Sequence, residues 1–298
     1  MPSLFWYFKK SDYEKKRVEP LDSIKSNNFI VNTDGMWNYY RTWSPINTPK
    51  AIIFFFHGVG EYIGRYEKHF QQLSAHGYLV FGMEHRGHGL SDGIRCYVRD
   101  YNALVNDQVL FIKQKVQEYP NIPVFTMGHS LGGGLCILIS ERVKDIIQGV
   151  IILSPCAMLF EKDLSLKPLA SFLVKICPRI PLVDLDIQAL SHNKTNTEAY
   201  SLDPLIYHGG VRCSTGYQLM LMTEEIQSHL DSYTYPFFIT IGEEDHICNP
   251  QGVKEFYEKA GSSDKTMKLY PNMYHEMLFD EVADDLLNNI EKWIEKHL

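Results

Sequence analysis

Residues 124–134 read VFTMGHSLGGG, from Val124 to Gly134. A short apolar run, Val124 to Met127, enters Gly128-His129-Ser130-Leu131-Gly132, and an apolar stretch with helical spacing follows from Leu131 to Val143. Strand, sharp turn and helix around a G-x-S-x-G pentapeptide form the context of a nucleophile elbow. Such a turn thrusts the serine hydroxyl out of a sheet edge and crowds together the residues two before and two after it. Only glycine fits both of those places. Gly132, Gly133 and Gly134 also open the helix, where an interior glycine costs up to about 1 kcal/mol against alanine. The bland alternative for these residues is a glycine-rich turn with an inert serine.

Outward from this stretch, β-branched and aromatic runs alternate with helical spacing. The runs are Phe29–Asn32, Trp37–Trp43, Ala51–Phe56, Leu79–Met83, Val124–Met127, Gly149–Leu153, Phe237–Ile241 and Met267–Tyr270. Asn32-Thr33-Asp34-Gly35 between the first two carries the Asp-Gly step of a hairpin. Later runs such as AIIFFF, GVIIL and FFITI are nearly continuous in apolar residues, as in strands covered on both faces. The spacing predicts helices over Glu67–Ala75, Ala103–Glu118, Leu131–Val143, Pro250–Ala260 and Val282–Lys296. The pattern predicts an α/β fold: a mostly parallel, doubly wound sheet entered through an antiparallel hairpin.

About eighty residues interrupt this rhythm, from Cys156 to Tyr235. They hold no strong strand signal, many apolar positions (Leu159, Phe160, Leu164, Leu166, Leu169, Phe172, Leu173, Ile176) and the interruptions Pro168, Pro178 and Pro181. An ordinary helical insertion packed on the core is one reading. A cap over a site is the other, favoured because the segment leaves the sheet at its C-terminal edge, where ligands bind. The expected organisation is a single core of residues 1–155 and 236–298, with an N-terminal extension over 1–27 and a cap or lid over 156–235.

Composition narrows the classes. The chain has 298 residues, 45% of them hydrophobic, and a formal net charge of −7, which is too acidic for a nucleic-acid binder that must displace counterions. The six cysteines, Cys96, Cys136, Cys156, Cys177, Cys213 and Cys248, form no Cys-x-x-Cys pair, so free thiols in a reducing, cytoplasmic compartment are expected. Leu4 to Phe8 is too short for a signal peptide and lacks a basic lead, and no run approaches the ~20 apolar residues of a membrane span. A soluble or at most peripheral protein is the expectation. Lys9, Lys10, Lys15, Lys16 and Arg17 are diluted by Asp12, Glu14 and Glu19, which reads as a solvated tail rather than an anchor.

A nucleophilic serine needs a base, and the base an orienting acid. In a sheet of this kind they follow the serine in the order acid, histidine, each after a late strand. Gly242-Glu243-Glu244-Asp245-His246 follows one such strand and Pro271-Asn272-Met273-Tyr274-His275-Glu276 the next. Asp245 and His275 fit; Glu243 and Glu244 are alternative acids, and His246 an alternative base. His85 and His88 read as turn-fixing residues, since a zinc site there lacks a third ligand. An oxyanion would take one donor from the N–H of Leu131 at the helix start. The other would come from Val59 in His57-Gly58-Val59-Gly60, whose glycines permit close backbone approach. A plain glycine-rich strand end is the competing reading of that loop.

Six segments make a resemblance specific: HGVGEYIGRYE (His57–Glu67), EHRGHGLSDG (Glu84–Gly93), GHSLGGG, NKTNTEAYSLDPLI (Asn193–Ile206), GEEDHIC (Gly242–Cys248) and YPNMYH (Tyr270–His275). Over the chain from about Asn32 onward they resemble the monoacylglycerol lipases, serine hydrolases of the α/β-hydrolase fold. The resemblance implies an eight-stranded, mostly parallel sheet with helices on both faces and a helical cap. It implies Ser130, Asp245 and His275 as the triad, Val59 and Leu131 as oxyanion donors, and Glu61, Arg65, His129 and Tyr200 around the polar end that receives glycerol. It implies hydrolysis of a monoacylglycerol or similar single-chain lipid ester without metal or cofactor, and peripheral bilayer contact through the cap. Two positions depart. Leu278 stands where the family carries a histidine near the glycerol, and Tyr207 where mammalian members carry a cysteine; Cys248 is kept. With Leu278, a lysophospholipase or general carboxylesterase remains an alternative on the same machinery, and a non-catalytic lipid-binding protein a third.

Overall fold

The computed structural model describes residues 28–160 and 164–298. The expected N-terminal extension, and its basic stretch, lie outside the described residues. β1 (Phe29–Val31) and β2 (Trp37–Trp43) pair antiparallel across the Asn32–Gly35 turn, where Gly35 takes φ +73° and the Asn32 side chain accepts the N–H groups of Asp34 and Met36. The remaining main-sheet strands are β3 (Ala51–Phe56), β4 (Tyr78–Met83), β5 (Val124–His129), β6 (Gly149–Leu153), β9 (Phe237–Gly242) and β10 (Lys265–Tyr270). The eight strands run in the order β1-β2-β4-β3-β5-β6-β9-β10, with β3, β4, β5, β6, β9 and β10 mutually parallel.

Two-faced burial explains the apolar runs. All six residues of β3 are buried, and they alternate between two packed layers. Ile52, Phe54 and Phe56 join one layer with α2 (Tyr101–Val116), α3 (Leu131–Arg142) and α7 (Pro250–Lys259). Ile53 and Phe55 join the other with α1 (Glu67–Ala75) and α8 (Ala283–Lys296). α3 is buried along its length from Leu131 to Ser140, as suits a helix without a polar face.

The segment between β6 and β9 is mostly helical: α4 (Lys167–Ile176), α5 (Lys194–Leu202) and α6 (Cys213–Ser228). It also contains a two-stranded antiparallel ribbon, β7 (Pro181–Val183) with β8 (Val211–Arg212), where the sequence showed no strong strand. Strands of three and two residues are too short to produce a period-two pattern, and all three residues of β7 are exposed.

The loop after β4 is built around a buried acid. Glu84 accepts the N–H of Leu90, and a Cβ on Gly89 (φ +49°) would lie 2.1 Å from its carboxylate. Burial pushes the Glu84 carboxyl up from 4.5 to about 8, against the lowering effects of the Leu90 and Ser91 amides and of Arg95 and Arg41. A carboxyl whose folded pKa is raised favours folding at pH below its unfolded value and loses that contribution as pH climbs through its folded value. Thermal unfolding should therefore show Glu84→Gln gaining stability relative to the parent between pH 5 and pH 8. A difference independent of pH would refute the assignment.

Candidate active site

The turn after β5 holds Ser130 at φ +56°, ψ −119°, a strained backbone for a residue with a side chain. Its N–H donates to the Leu153 carbonyl on β6, and its own carbonyl accepts from Gly134 and Cys156. The two glycines of the pentapeptide are there for space. A Cβ on Gly128 would lie 2.1 Å from the Gly132 carbonyl oxygen, and one on Gly132 would lie 2.0 Å from that of Phe56. The start of α3 is thus seated directly on the end of β3, beside the loop that carries Val59.

His275 and Asp245 meet as the reading of their loops requires. His275 Nδ1 lies 2.7 Å from Asp245 Oδ2, both groups buried. Asp245 Oδ1 accepts the N–H groups of Ile247 and Cys248, each at 2.8 Å, which fixes the carboxylate and leaves its second oxygen for the imidazole. His275 Nε2 is buried without a hydrogen-bond partner. It shares a small cavity with Ser130, Gly58, Val59, Glu61, His129, Tyr200 and Glu276. Burial lowers the His275 pKa, but the charge and hydrogen bond of Asp245 outweigh it, helped by Glu276 and Glu61, and the net shift is upward. The alternatives are elsewhere: Glu243 is exposed and paired with Lys254, Glu244 is exposed, and His246 is exposed beside the Tyr274 ring.

The loop of Val59 is clamped from both sides of Gly58. Glu61 accepts the Gly58 N–H at 2.5 Å, and His57 Nδ1–H donates to the Gly58 carbonyl at 2.8 Å. His57 Nε2 accepts the His85 N–H, His85 Nε2–H donates to the His57 carbonyl, and Gln108 donates to His85 Nδ1. Each imidazole carries one proton in this chain. Burial pulls His57 down to about 4, His88 to about 3 and His85 well below its ordinary value. Leu131 is the first residue of α3, where an N–H has no partner within the helix.

The four head-group candidates converge. Arg65 Nη1 lies 2.6 Å from Glu61, His129 Nδ1 3.4 Å from Glu61 and 2.9 Å from the Tyr66 hydroxyl, and the Arg65 guanidinium stacks 4.7 Å from the Tyr200 ring centroid. Glu61 is held well below the usual carboxylate range: burial opposes ionisation, but His129 and Arg65 prevail. Glu61, His129 and Tyr200 line the cavity, whereas Arg65 meets it through the carboxylates it binds. Leu278 is buried in the apolar layer with α8. Tyr207 donates its N–H to the Gly60 carbonyl, so the segment between β6 and β9 reaches the Val59 loop.

Three contributors escaped the sequence reading. Ser154 donates its hydroxyl to the His275 carbonyl at 3.0 Å, Tyr66 donates to Glu61, and Glu276 grips Arg65 through both carboxylate oxygens. The partners of Ser154 and Glu276 lie 121 and 211 residues away, and Tyr66, though inside HGVGEYIGRYE and close in sequence to Glu61, carries no spacing signal of its own.

The family described as serine aminopeptidase, S33, matches residues 47–282. The monoglyceride lipase of Rattus norvegicus is 36% identical over 269 residues, covering 89% of each chain. The monoglyceride lipase homolog of Monkeypox virus is 30% identical over 90% of this chain and 98% of its own. The crystal structure of a soluble variant of the Saccharomyces cerevisiae monoglyceride lipase, in complex with a substrate analog, superposes with a TM-score of 0.81 at 26% identity, covering 95% of this chain and 96% of that one. Fold and relatives define an ester hydrolase of the α/β-hydrolase class. Within that class, the chain belongs to the monoglyceride lipase family.

A general base at His275 would work only as the neutral imidazole, so the upward shift would place the acid limb of the pH–rate profile above the ~6.5 of a free histidine. Asp245→Asn removes the raising charge. The limb of kcat/KM should move to lower pH while kcat falls by about 10⁴. An unmoved limb would separate His275 from the rate.

Proposed function

We propose that this protein hydrolyses monoacylglycerols, or closely similar single-chain lipid esters, to fatty acid and glycerol through an acyl-enzyme on Ser130. The observation that carries the reading is the single cavity shared by Ser130 and the unpartnered, Asp245-held imidazole of His275. His275 Nε2 takes the proton of the Ser130 hydroxyl as the oxygen attacks the ester carbonyl, and Asp245 stabilises the imidazolium that forms. Val59 and Leu131 offer their N–H groups to the oxyanion, each such donor being worth roughly 3–4 kcal/mol of barrier. The imidazolium returns its proton to the departing glycerol oxygen. Water, activated by the same nitrogen, then releases the fatty acid.

Residues 156–235 act in this reading as the cap. Among its described residues, Leu166, Leu169, Phe172, Ile176, Leu182 and Val183 are exposed, and an apolar cavity of about 260 Å³ lies between α4, the β7–β8 ribbon and α6. Each methylene moved out of water contributes about 0.8 kcal/mol, enough for a long acyl chain to seek this surface. Only about 20 Å³ is open beside Ser130, room for a single water, so the cap must yield to admit an acyl chain. Among the described residues no helix is long and apolar enough to cross a membrane, and contact with a bilayer would be peripheral, through the exposed face of α4.

Ser130→Ala should lower monoacylglycerol turnover by about 10³-fold or more and abolish the covalent adduct with a fluorophosphonate probe. Turnover within tenfold of the parent would remove Ser130 as nucleophile. Phe172→Asp should weaken co-sedimentation with lipid vesicles while sparing hydrolysis of a soluble short-chain ester; unchanged sedimentation would place the bilayer contact elsewhere.

A further inference from the structure

Glu276 follows His275 directly, is 3% exposed and lines the cavity with Ser130. Its carboxylate binds Arg65 in a two-pronged geometry, Nη1 to Oε1 at 2.7 Å and Nη2 to Oε2 at 2.9 Å. Asn196 on α5 donates to Oε2 at 2.8 Å, and the Glu276 N–H donates to the Leu190 carbonyl at 2.7 Å. The carboxylate is therefore held by Arg65 and Asn196, and the backbone beneath it by Leu190.

Arg65 is correspondingly committed. Nη1 also binds Glu61 at 2.6 Å, and the two faces of the guanidinium lie under the Tyr200 and Phe279 rings at 4.7 and 4.3 Å. Two carboxylates thus hold one guanidinium through three of its N–H groups, with two aromatic rings beside it. His129 is occupied too, Nδ1 on the Tyr66 hydroxyl and Nε2 on the His275 carbonyl. Among the described residues no lysine or arginine lines the cavity. A ligand entering beside Ser130 meets the carboxylates of Glu61 and Glu276 and, among those residues, no lysine or arginine that could take up a phosphate.

We propose that Glu276 determines head-group selectivity: by consuming Arg65 it makes the cavity accept esters of neutral polyols and reject esters whose head group carries a phosphate. Polyol hydroxyls donate to carboxylates, so the same atoms that exclude an anion retain glycerol. A phosphate monoester brings about −1.5 to −2 charges at neutral pH and would sit against Glu276 and Glu61 with no free counter-charge. The inference rests on the reading of Ser130 as the nucleophile of an esterase, and it names the substrate class of that site.

The test compares kcat/KM on 1-monoacylglycerol and on lysophosphatidic acid of the same acyl chain, for the parent, Glu276→Gln and Glu276→Ala, with melting curves of each. The parent should favour the neutral ester by about a hundredfold or more. Removing the carboxylate releases Arg65 Nη2 while Glu61 keeps Nη1, so both variants should lose turnover of the neutral ester and gain absolute turnover of the phosphate ester, narrowing the ratio by about tenfold. Loss of packing alone produces no such gain. A parent that turns over both esters within threefold would overturn the proposal whether or not the variants fold, as would folded variants that keep the parent's ratio. Failure of the catalytic reading appears separately, as turnover of neither ester, and removes both.

Discussion

The close approach of two backbones at the serine turn underlies the rest of the site. With hydrogen in place of Cβ at Gly128 and Gly132, the first turn of α3 comes down on the carbonyls that end β3. A side chain at either place would collide with main chain, which has no rotamer by which to withdraw. That contact brings the Leu131 amide, at the start of α3, and the Val59 loop, at the end of β3, to the same edge of the sheet as the Ser130 hydroxyl. The positive φ of Ser130 is tolerated because its carbonyl and amide are both engaged by neighbours on α3 and after β6.

Around this edge, burial treats the histidines in two opposite ways. His57, His85 and His88 have no acid bonded to them and are held neutral, which lets His57 and His85 each serve as a directional donor and acceptor in a chain of hydrogen bonds, while His88 donates to the Arg86 carbonyl. His275 is just as buried, yet Asp245 sits on its Nδ1 and the balance reverses. One type of side chain is held neutral in the hydrogen-bonded loops and has its pKa raised beside Ser130, and the difference is a single carboxylate at 2.7 Å. The same economy governs the acids: Glu61 is ionised by its neighbours, while Glu84, under Gly89, is pushed toward neutrality by burial that its amide and arginine partners only partly offset.

The segment between β6 and β9 is joined to the core by polar pins and by α6, whose Met222 and Ile226 are buried in one core layer, while α4 turns an apolar face outward. Asn196 binds Glu276, Ser191 binds Asp280, Tyr207 binds Gly60 and Tyr62 binds Asp203. Hydrogen bonds of this kind each contribute only about 1 kcal/mol net, whereas the exposed leucines and phenylalanine of α4 gain by leaving water. Glu276 is among the pins, so the residue proposed to meet the head group is also bonded to the segment between β6 and β9.

The order of strands and helices, the serine turn, and the Asp245 and His275 loops were legible in the chain because each is a local matter. Runs such as AIIFFF record two-sided burial, and glycine at 128 and 132 records a steric requirement within five residues. Asp245 and His275 could be chosen because each follows a strand in a known chain order, although Glu243, Glu244 and His246 had to be separated from them by burial and distance. The β7–β8 ribbon was invisible, its strands being too short to carry a period. Ser154, Tyr66, the two-pronged grip of Glu276 on Arg65, and the neutral chain through His57 and His85 were settled by tertiary structure alone. A hydrogen bond across a hundred or more residues leaves no spacing behind it, and a titratable group takes its charge from the neighbours that folding brings to it.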